Sequence, residues 1–130
     1  MPRISLWFLR AALLYLALGF TVGALLLWNK GLGIDPAIPR LLPAHIEFLL
    51  VGWTIQLVMG VALWIFPRFG AATIARRDSL GWTAFVLLNS GVWLVVLGVP
   101  FAGRIAELAA AAAFGVQAWM RVRASGLSPM

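Results

Sequence analysis

Residues 43–66 read PAHIEFLLVGWTIQLVMGVALWIF, and this stretch decides the fold. Beyond Glu47 it carries no charged residue, and only Thr54 and Gln56 interrupt the apolar run to Phe66. About 20 apolar residues, at a rise of about 1.5 Å each, match the hydrocarbon core of a bilayer, which is roughly 30 Å thick. In lipid such a segment forms a helix, because its backbone groups find no water to bond. The stretch therefore predicts a transmembrane helix.

The composition extends this prediction to the whole chain. Of 130 residues, 63% are hydrophobic and 11% are charged, and the mean hydropathy is +0.99. A soluble domain is about half apolar and a quarter charged. A core of this size cannot hide the apolar surplus, so lipid must cover much of the surface. We expect residues 1–130 to form a single integral membrane domain.

Four apolar segments are separated by short polar or Pro- and Gly-bearing breaks. Pro43 suits the first turn of a helix, where its missing N–H is not needed, and Pro67 and Pro100 separate later segments. The sequence predicts an all-α, integral membrane four-helix bundle with transmembrane helices at approximately 4–28, 43–66, 80–99 and 101–120.

The positive charges predict the orientation of this bundle. Seven arginines fall at the end that holds both termini: Arg3, Arg10, Arg68, Arg76, Arg77, Arg121 and Arg123. The other end carries only Lys30, Arg40 and Arg104. Because positive residues concentrate on the cytoplasmic side, we expect both termini to be cytoplasmic, in a bacterial cytoplasmic (inner) membrane. The net charge of +6 is then explained by membrane anchoring, and we expect no nucleic-acid partner.

The stretch at 43–66 also holds the candidate site, His45 and Glu47. His45 is the only histidine, and the absence of cysteine excludes disulfides and thiolate metal sites. An ionisable side chain at membrane depth suggests a function, and the orientation places both residues near the outer face. On a regular helix His45, Gly52 and Gln56 share one face within about 40°, whereas Glu47 points about 200° away from His45.

The His45 face suggests a flat cofactor. Imidazole is a common axial ligand of heme iron, and Gly52 leaves room for a macrocycle, so the candidate cofactor-binding residues are His45, Gly52 and Gln56. His45 and Glu47 are the candidate metal ligands, but they need a neighbouring helix, another subunit or an irregular turn to meet one ion. Two structural alternatives stay open: His45 touches lipid headgroups, and Glu47 interacts with the helix dipole.

Several other residues suggest helix packing. Gly19 and Gly23 form a small-xxx-small pattern that lets helices approach closely. Arg104 and Glu107 are spaced as an exposed pair at a helix end. Asn89 is suited to a hydrogen bond across helices.

Three segments resemble the large catalytic subunit of heme–copper oxidases and nitric-oxide reductases. FLRAALLYLALGFTVGALL (8–26) resembles its first helix, and RLLPAHIEFLLVGWTIQLVMGVALWIFPRF (40–69) resembles a helix that begins with a histidine near the outer face. FVLLNSGVWLVVLG (85–98) is similar to the helix that follows. The most specific element is H-I-E-x(4)-G-W (45–53) together with F-P-R (66–68).

The resemblance implies that this chain corresponds to one four-helix arc of a subunit that has three. It further implies a homo-oligomer, favouring a homotrimer, with His45 as a ligand of b-type heme, or of zinc or copper instead. Relatives often have H-x-H where this chain has His45–Ile46–Glu47, so even a trimer lacks the histidines for full oxidase or reductase chemistry. An enzyme is therefore not expected.

We accordingly expect a small heme- or metal-binding membrane protein that acts in electron transfer or in redox or gas sensing, with a respiratory electron carrier as a possible partner. One alternative is a cofactor-free structural or assembly partner of a respiratory complex. A further alternative is a small proton or solute transporter that uses Glu47 and Gln56.

Overall fold

Four helices make up the parts of the chain that the structure describes. The structure is a computed structural model that describes residues 1–66 and 74–125, without the side chains of 74–78 and 123–125. No strand occurs in those two ranges, so the all-α prediction is confirmed. The helices are α1 (Arg3–Leu32), α2 (Ile38–Ile65), α3 (Ile74–Val96) and α4 (Pro100–Ser125). The predicted F-P-R ending beyond residue 66, and the side chains of Arg68, Arg76, Arg77 and Arg123, lie outside the described residues.

Three of these helices are long and apolar enough to cross a membrane: Arg3–Leu32, Ile38–Ile65 and Ser79–Val96. The predicted segment 101–120 is helical but is not among the three, which were sought in the described ranges only. Its first turns carry Arg104 and Glu107, and a run of alanines follows. Alanine adds less apolar surface than leucine or valine, so α4 is the least apolar of the four helices.

The pairs α1 with α2 and α3 with α4 run antiparallel and meet at glycines. Near the start of α1, the Ser5 hydroxyl donates a hydrogen bond of 2.6 Å to the Gly60 carbonyl near the end of α2. Between α3 and α4, a β-carbon at Gly103 would lie 2.8 Å from the Gly91 carbonyl oxygen. Glycine at these positions lets the backbones approach as helices do in membranes.

The core has two layers along the bundle axis. One layer joins all four helices through Ile4, Phe8, Met59, Leu63, Ala84, Leu88 and Ala110. The other lies nearer to His45 and joins α1, α2 and α3 through Tyr15, Phe48 and Val92. α4 packs chiefly on α3. It also reaches α2 through long side chains, because Arg121 donates a hydrogen bond of 3.1 Å to the Leu63 carbonyl.

The helix α2 is irregular where regular geometry was predicted. A 3₁₀ turn at Ile38–Leu41 leads into an α-helical turn at Leu42–Glu47, a π-helical segment at Phe48–Ile55 and an α-helix at Gln56–Ile65. The Thr54 hydroxyl bonds the Leu49 carbonyl at 2.8 Å, five residues back. Because π segments use i→i+5 bonds, angles calculated at 100° per residue do not carry across residues 48–55.

Candidate functional site

His45 lies between α1 and α2, where it bonds to a backbone carbonyl. Its Nδ1 is 2.8 Å from the Gly19 carbonyl oxygen. A carbonyl can only accept a hydrogen bond, so Nδ1 carries the proton in this contact. A neutral imidazole with its proton on Nδ1 presents a lone pair at Nε2, which is how ligand histidines are commonly fixed in metal sites.

Gly23 provides the space for this imidazole. A β-carbon at position 23 would lie 2.6 Å from Cε1 and 3.0 Å from Nδ1 of His45. One turn earlier, Gly19 faces the Leu49 side chain. The small-xxx-small pattern predicted a packing contact between helices, and no local feature indicated that Gly23 would lie against the imidazole of His45.

Gly52 and Gln56 contact side chains of the same chain. A β-carbon at Gly52 would lie 2.6 Å from Cγ of Tyr15 on α1. Gln56 is fully buried, and its Nε2 is 3.5 Å from Oδ1 of Asn89 on α3. The space that Gly52 leaves is therefore filled by Tyr15, and Gln56 faces α3 instead of the His45 ring.

These contacts belong to a polar network across three helices. The Tyr15 hydroxyl donates a hydrogen bond of 2.9 Å to Asn89 Oδ1, and Asn89 Nδ2 donates one of 2.7 Å to the Phe85 carbonyl. Asn89 thus bonds across helices, as its position in an apolar segment predicted. The buried Gln56 Oε1 accepts no hydrogen bond from any residue that the structure describes.

The side chain of Glu47 points from α2 toward α4, whereas that of His45 points toward α1. The Glu47 side chain is 3% exposed, and its two oxygens accept hydrogen bonds of 3.1 Å and 2.7 Å from Nη1 and Nη2 of Arg104. A bidentate arginine–carboxylate pair is among the stronger polar contacts in proteins. His45 contacts α1 and Glu47 contacts α4, so the two side chains do not converge on one point.

Arg104 also binds a second carboxylate. Its Nη1 is 2.6 Å from Oε2 of Glu107, which is the helix-end pair predicted from the sequence. The side chain of Glu107 is only 11% exposed, whereas that of Arg104 is 52% exposed. The pair is thus half buried, and the contact between Arg104 and Glu47, 57 positions apart, had no local signal in the sequence.

The described residues contain no group of three or more His, Cys, Asp or Glu side chains that could hold a metal ion. Within that part of the chain, the His45 imidazole contacts α1 and both glutamates contact Arg104 on α4. A metal ion at Nε2 would need further protein ligands from outside this set, such as those of a second copy of the chain.

Comparisons with known proteins give no relative for this chain. No family model matches it, and no curated protein and no solved structure matches it either.

Proposed function

We propose that this chain is an integral membrane protein that binds b-type heme, or a metal ion such as zinc or copper, through Nε2 of His45. The observation that supports it best is the hydrogen bond of 2.8 Å between His45 Nδ1 and the Gly19 carbonyl. That bond fixes the tautomer and the ring orientation, as outer hydrogen bonds do for ligand histidines. Three helices long and apolar enough to span a bilayer support the membrane location.

The other predicted site residues fit a cofactor less well than His45. Tyr15 occupies the space at Gly52, and Asn89 lies beside Gln56. Glu47 would have to give up its bidentate contact with Arg104 before it could bind a metal. We therefore propose His45 as the ligand from this chain and assign no ligand role to the other three.

A second copy of the chain is the simplest source of the missing ligand. A heme held by two histidines would draw one from each of two copies, because this chain has a single histidine. We propose a homo-oligomer, with the homotrimer suggested by the resemblance to heme–copper oxidases as its first candidate. Bound heme would supply a reversible one-electron couple, which suits electron transfer or redox and gas sensing near the outer membrane face.

The test compares His45→Asn with the natural protein. Asparagine keeps a side-chain N–H donor beside the Gly19 carbonyl but lacks an imidazole ligand. Both proteins are expressed with heme and metals supplied and purified in mild detergent, and their absorption spectra and metal contents are measured. We expect a Soret band or bound metal in the natural protein and its loss in His45→Asn. A colourless, metal-free natural protein would contradict the proposal, as would a variant with unchanged cofactor content.

A cofactor-free structural or assembly partner of a respiratory complex is the second candidate. It is favoured by the contacts that His45 and Glu47 already make within the chain, to Gly19 and to Arg104. Under this function both side chains act only in holding helices together. Natural protein that stays colourless and metal-free, and is destabilised by His45→Ala, would favour it.

A further inference from the structure

A groove runs along the bundle between α2 and α4, with a charged end and an apolar floor. Its volume is about 390 Å³, and apolar side chains line most of it: Val51, Ile55, Met59, Leu88, Leu108 and Ala111. Arg104 and Glu107 line the same groove, at the end where Arg104 reaches Glu47. Ile55 and Leu108 are 42% and 71% exposed, so the groove opens sideways to whatever surrounds the bundle.

The charged end of the groove has more negative than positive groups. Two carboxylates, Glu47 and Glu107, share the single guanidinium of Arg104. Oε1 of Glu107 is buried and accepts no hydrogen bond from the described residues. Three of the five N–H donors of Arg104 bond to the carboxylates, and half of its side chain stays exposed. Glu107 can thus still accept a hydrogen bond from a cationic group, and Arg104 can still donate hydrogen bonds to an anionic group.

We propose that this groove binds one zwitterionic aminophospholipid, with its ammonium group at the Glu107 carboxylate, its phosphate at the exposed edge of Arg104 and an acyl chain along the apolar floor. An ammonium group carries three N–H donors and one positive charge, which match the surplus carboxylate. Oε1 of Glu107 would meet it once this side chain turns toward the groove. The proposal rests on the membrane location proposed above, but it does not depend on a cofactor at His45.

Charge and hydrogen bonding separate this lipid from the other lipids of a bilayer. An anionic phospholipid would place its charge beside the surplus carboxylate. Phosphatidylcholine has the same charges as phosphatidylethanolamine, but its quaternary nitrogen has no N–H to donate to Glu107. A neutral acyl chain fills the floor and leaves the charged end unmatched.

A second groove serves as an internal control. It has a volume of about 360 Å³ and is lined by Leu57, Val58, Val61, Ala62, Ile65 and Phe66. Among the described residues, no charged side chain lines it. Lipid held there should show no preference among headgroups.

The test measures which lipid the protein retains. Purified protein is placed in vesicles of equal parts phosphatidylethanolamine, phosphatidylcholine and phosphatidylglycerol and extracted in mild detergent, and the lipid bound per chain is quantified by mass spectrometry. We expect one tightly held lipid per chain, with phosphatidylethanolamine enriched about tenfold over each of the others. Equal retention of the three, or preference for phosphatidylglycerol, would overturn the proposal.

Four variants test whether the preference arises in the groove. Glu107→Gln removes the surplus charge and should abolish the enrichment. Ala111→Phe fills the apolar floor and should reduce retention, whereas the matched Ala62→Phe in the second groove should not. His45→Asn should retain the full enrichment, so a missing cofactor and a missing lipid site are separate outcomes. Enrichment that survives Glu107→Gln would contradict the assignment, and the comparison of lipids on the natural protein stands even if this variant does not fold.

Discussion

The two sides of the first turns of α2 hold ionisable groups in different ways. On the side facing α1, two glycines let the backbone come close, and His45 bonds to a carbonyl with its ring against Gly23. On the side facing α4, Arg104 extends across a wider gap to bind Glu47. The side facing α1 is closely packed and leaves the lone pair of His45 Nε2 without a partner in this contact. The side facing α4 is held by an ion pair and lies beside the groove between α2 and α4. A chain with few polar residues thus obtains two distinct polar environments within three positions of α2.

The largest stability effect is expected on the ionic side. Arg104→Ala leaves Glu47, whose side chain is 3% exposed, without its cation. Breaking a buried ion pair costs about 3–5 kcal/mol, and we expect about 2–4 kcal/mol here because the Arg104 end is half exposed. Denaturant unfolding in detergent measures the loss in the free energy of unfolding.

Adding Glu47→Gln to Arg104→Ala removes one of the two uncompensated carboxylate charges and should restore about half of the lost stability. Lys30→Ala, at an exposed cation on α1, is the control and should change little. A cost of Arg104→Ala similar to that of Lys30→Ala would show that the ionic side does not hold α4 to α2.

A smaller effect is expected on the packed side. In Gly23→Ala the new methyl group would meet Cε1 of His45 at 2.6 Å, so the ring must move. Overpacking of this kind costs about 1–3 kcal/mol. The midpoint of thermal unfolding in detergent measures it. The matched control is Gly31→Ala, where a β-carbon meets nothing within 4 Å and the protein should be unchanged or slightly more stable.

The clash at Gly23 should disappear when the ring is absent. In a His45→Ala background, Gly23→Ala should therefore cost little. If Gly23→Ala has the same cost with and without the imidazole, His45 does not lie against Gly23 as described.

The smallest stability effect is expected in the polar network of Tyr15, Gln56 and Asn89, which joins α1, α2 and α3. Tyr15→Phe removes the hydroxyl that donates to Asn89 and keeps the ring that fills the space at Gly52. Interhelical hydrogen bonds in membranes contribute about 0.6 kcal/mol on average, and we expect a loss of about 0.5–1.5 kcal/mol. Thr21→Val removes a hydroxyl that bonds only within α1, to the Ala17 carbonyl, and should cost less. An equal effect of the two substitutions would assign no special role to the network.

The helices could be predicted from the sequence because a long apolar segment in a bilayer follows a simple rule. A long apolar run must satisfy its own backbone, so the segments at 4–28, 43–66, 80–99 and 101–120 all correspond to helices in the described residues. Their ends differ by a few residues. The first helix continues to Leu32, where Gly33 ends it with a positive φ of 61°.

The contacts of the site were harder to predict because they depend on packing. No proline or charge marks the π-helical segment at Phe48–Ile55. The filling of the Gly52 space by Tyr15 joins positions far apart in the chain. Trp93 contacts Tyr15 and Phe48 and still has 44% of its surface exposed. Spacing on one helix indicates which residues share a face but not which neighbour covers that face.

The central claim is that Nε2 of His45 binds heme and that each bound heme is held by His45 side chains from more than one copy of the chain. Its most direct test is a titration of detergent-purified protein with heme, followed by absorbance, together with the mass of the complex. We expect a Soret shift that saturates below one heme per chain in an oligomer and is absent in His45→Asn. A complex of one heme with one chain, or the same shift in His45→Asn, would contradict the claim.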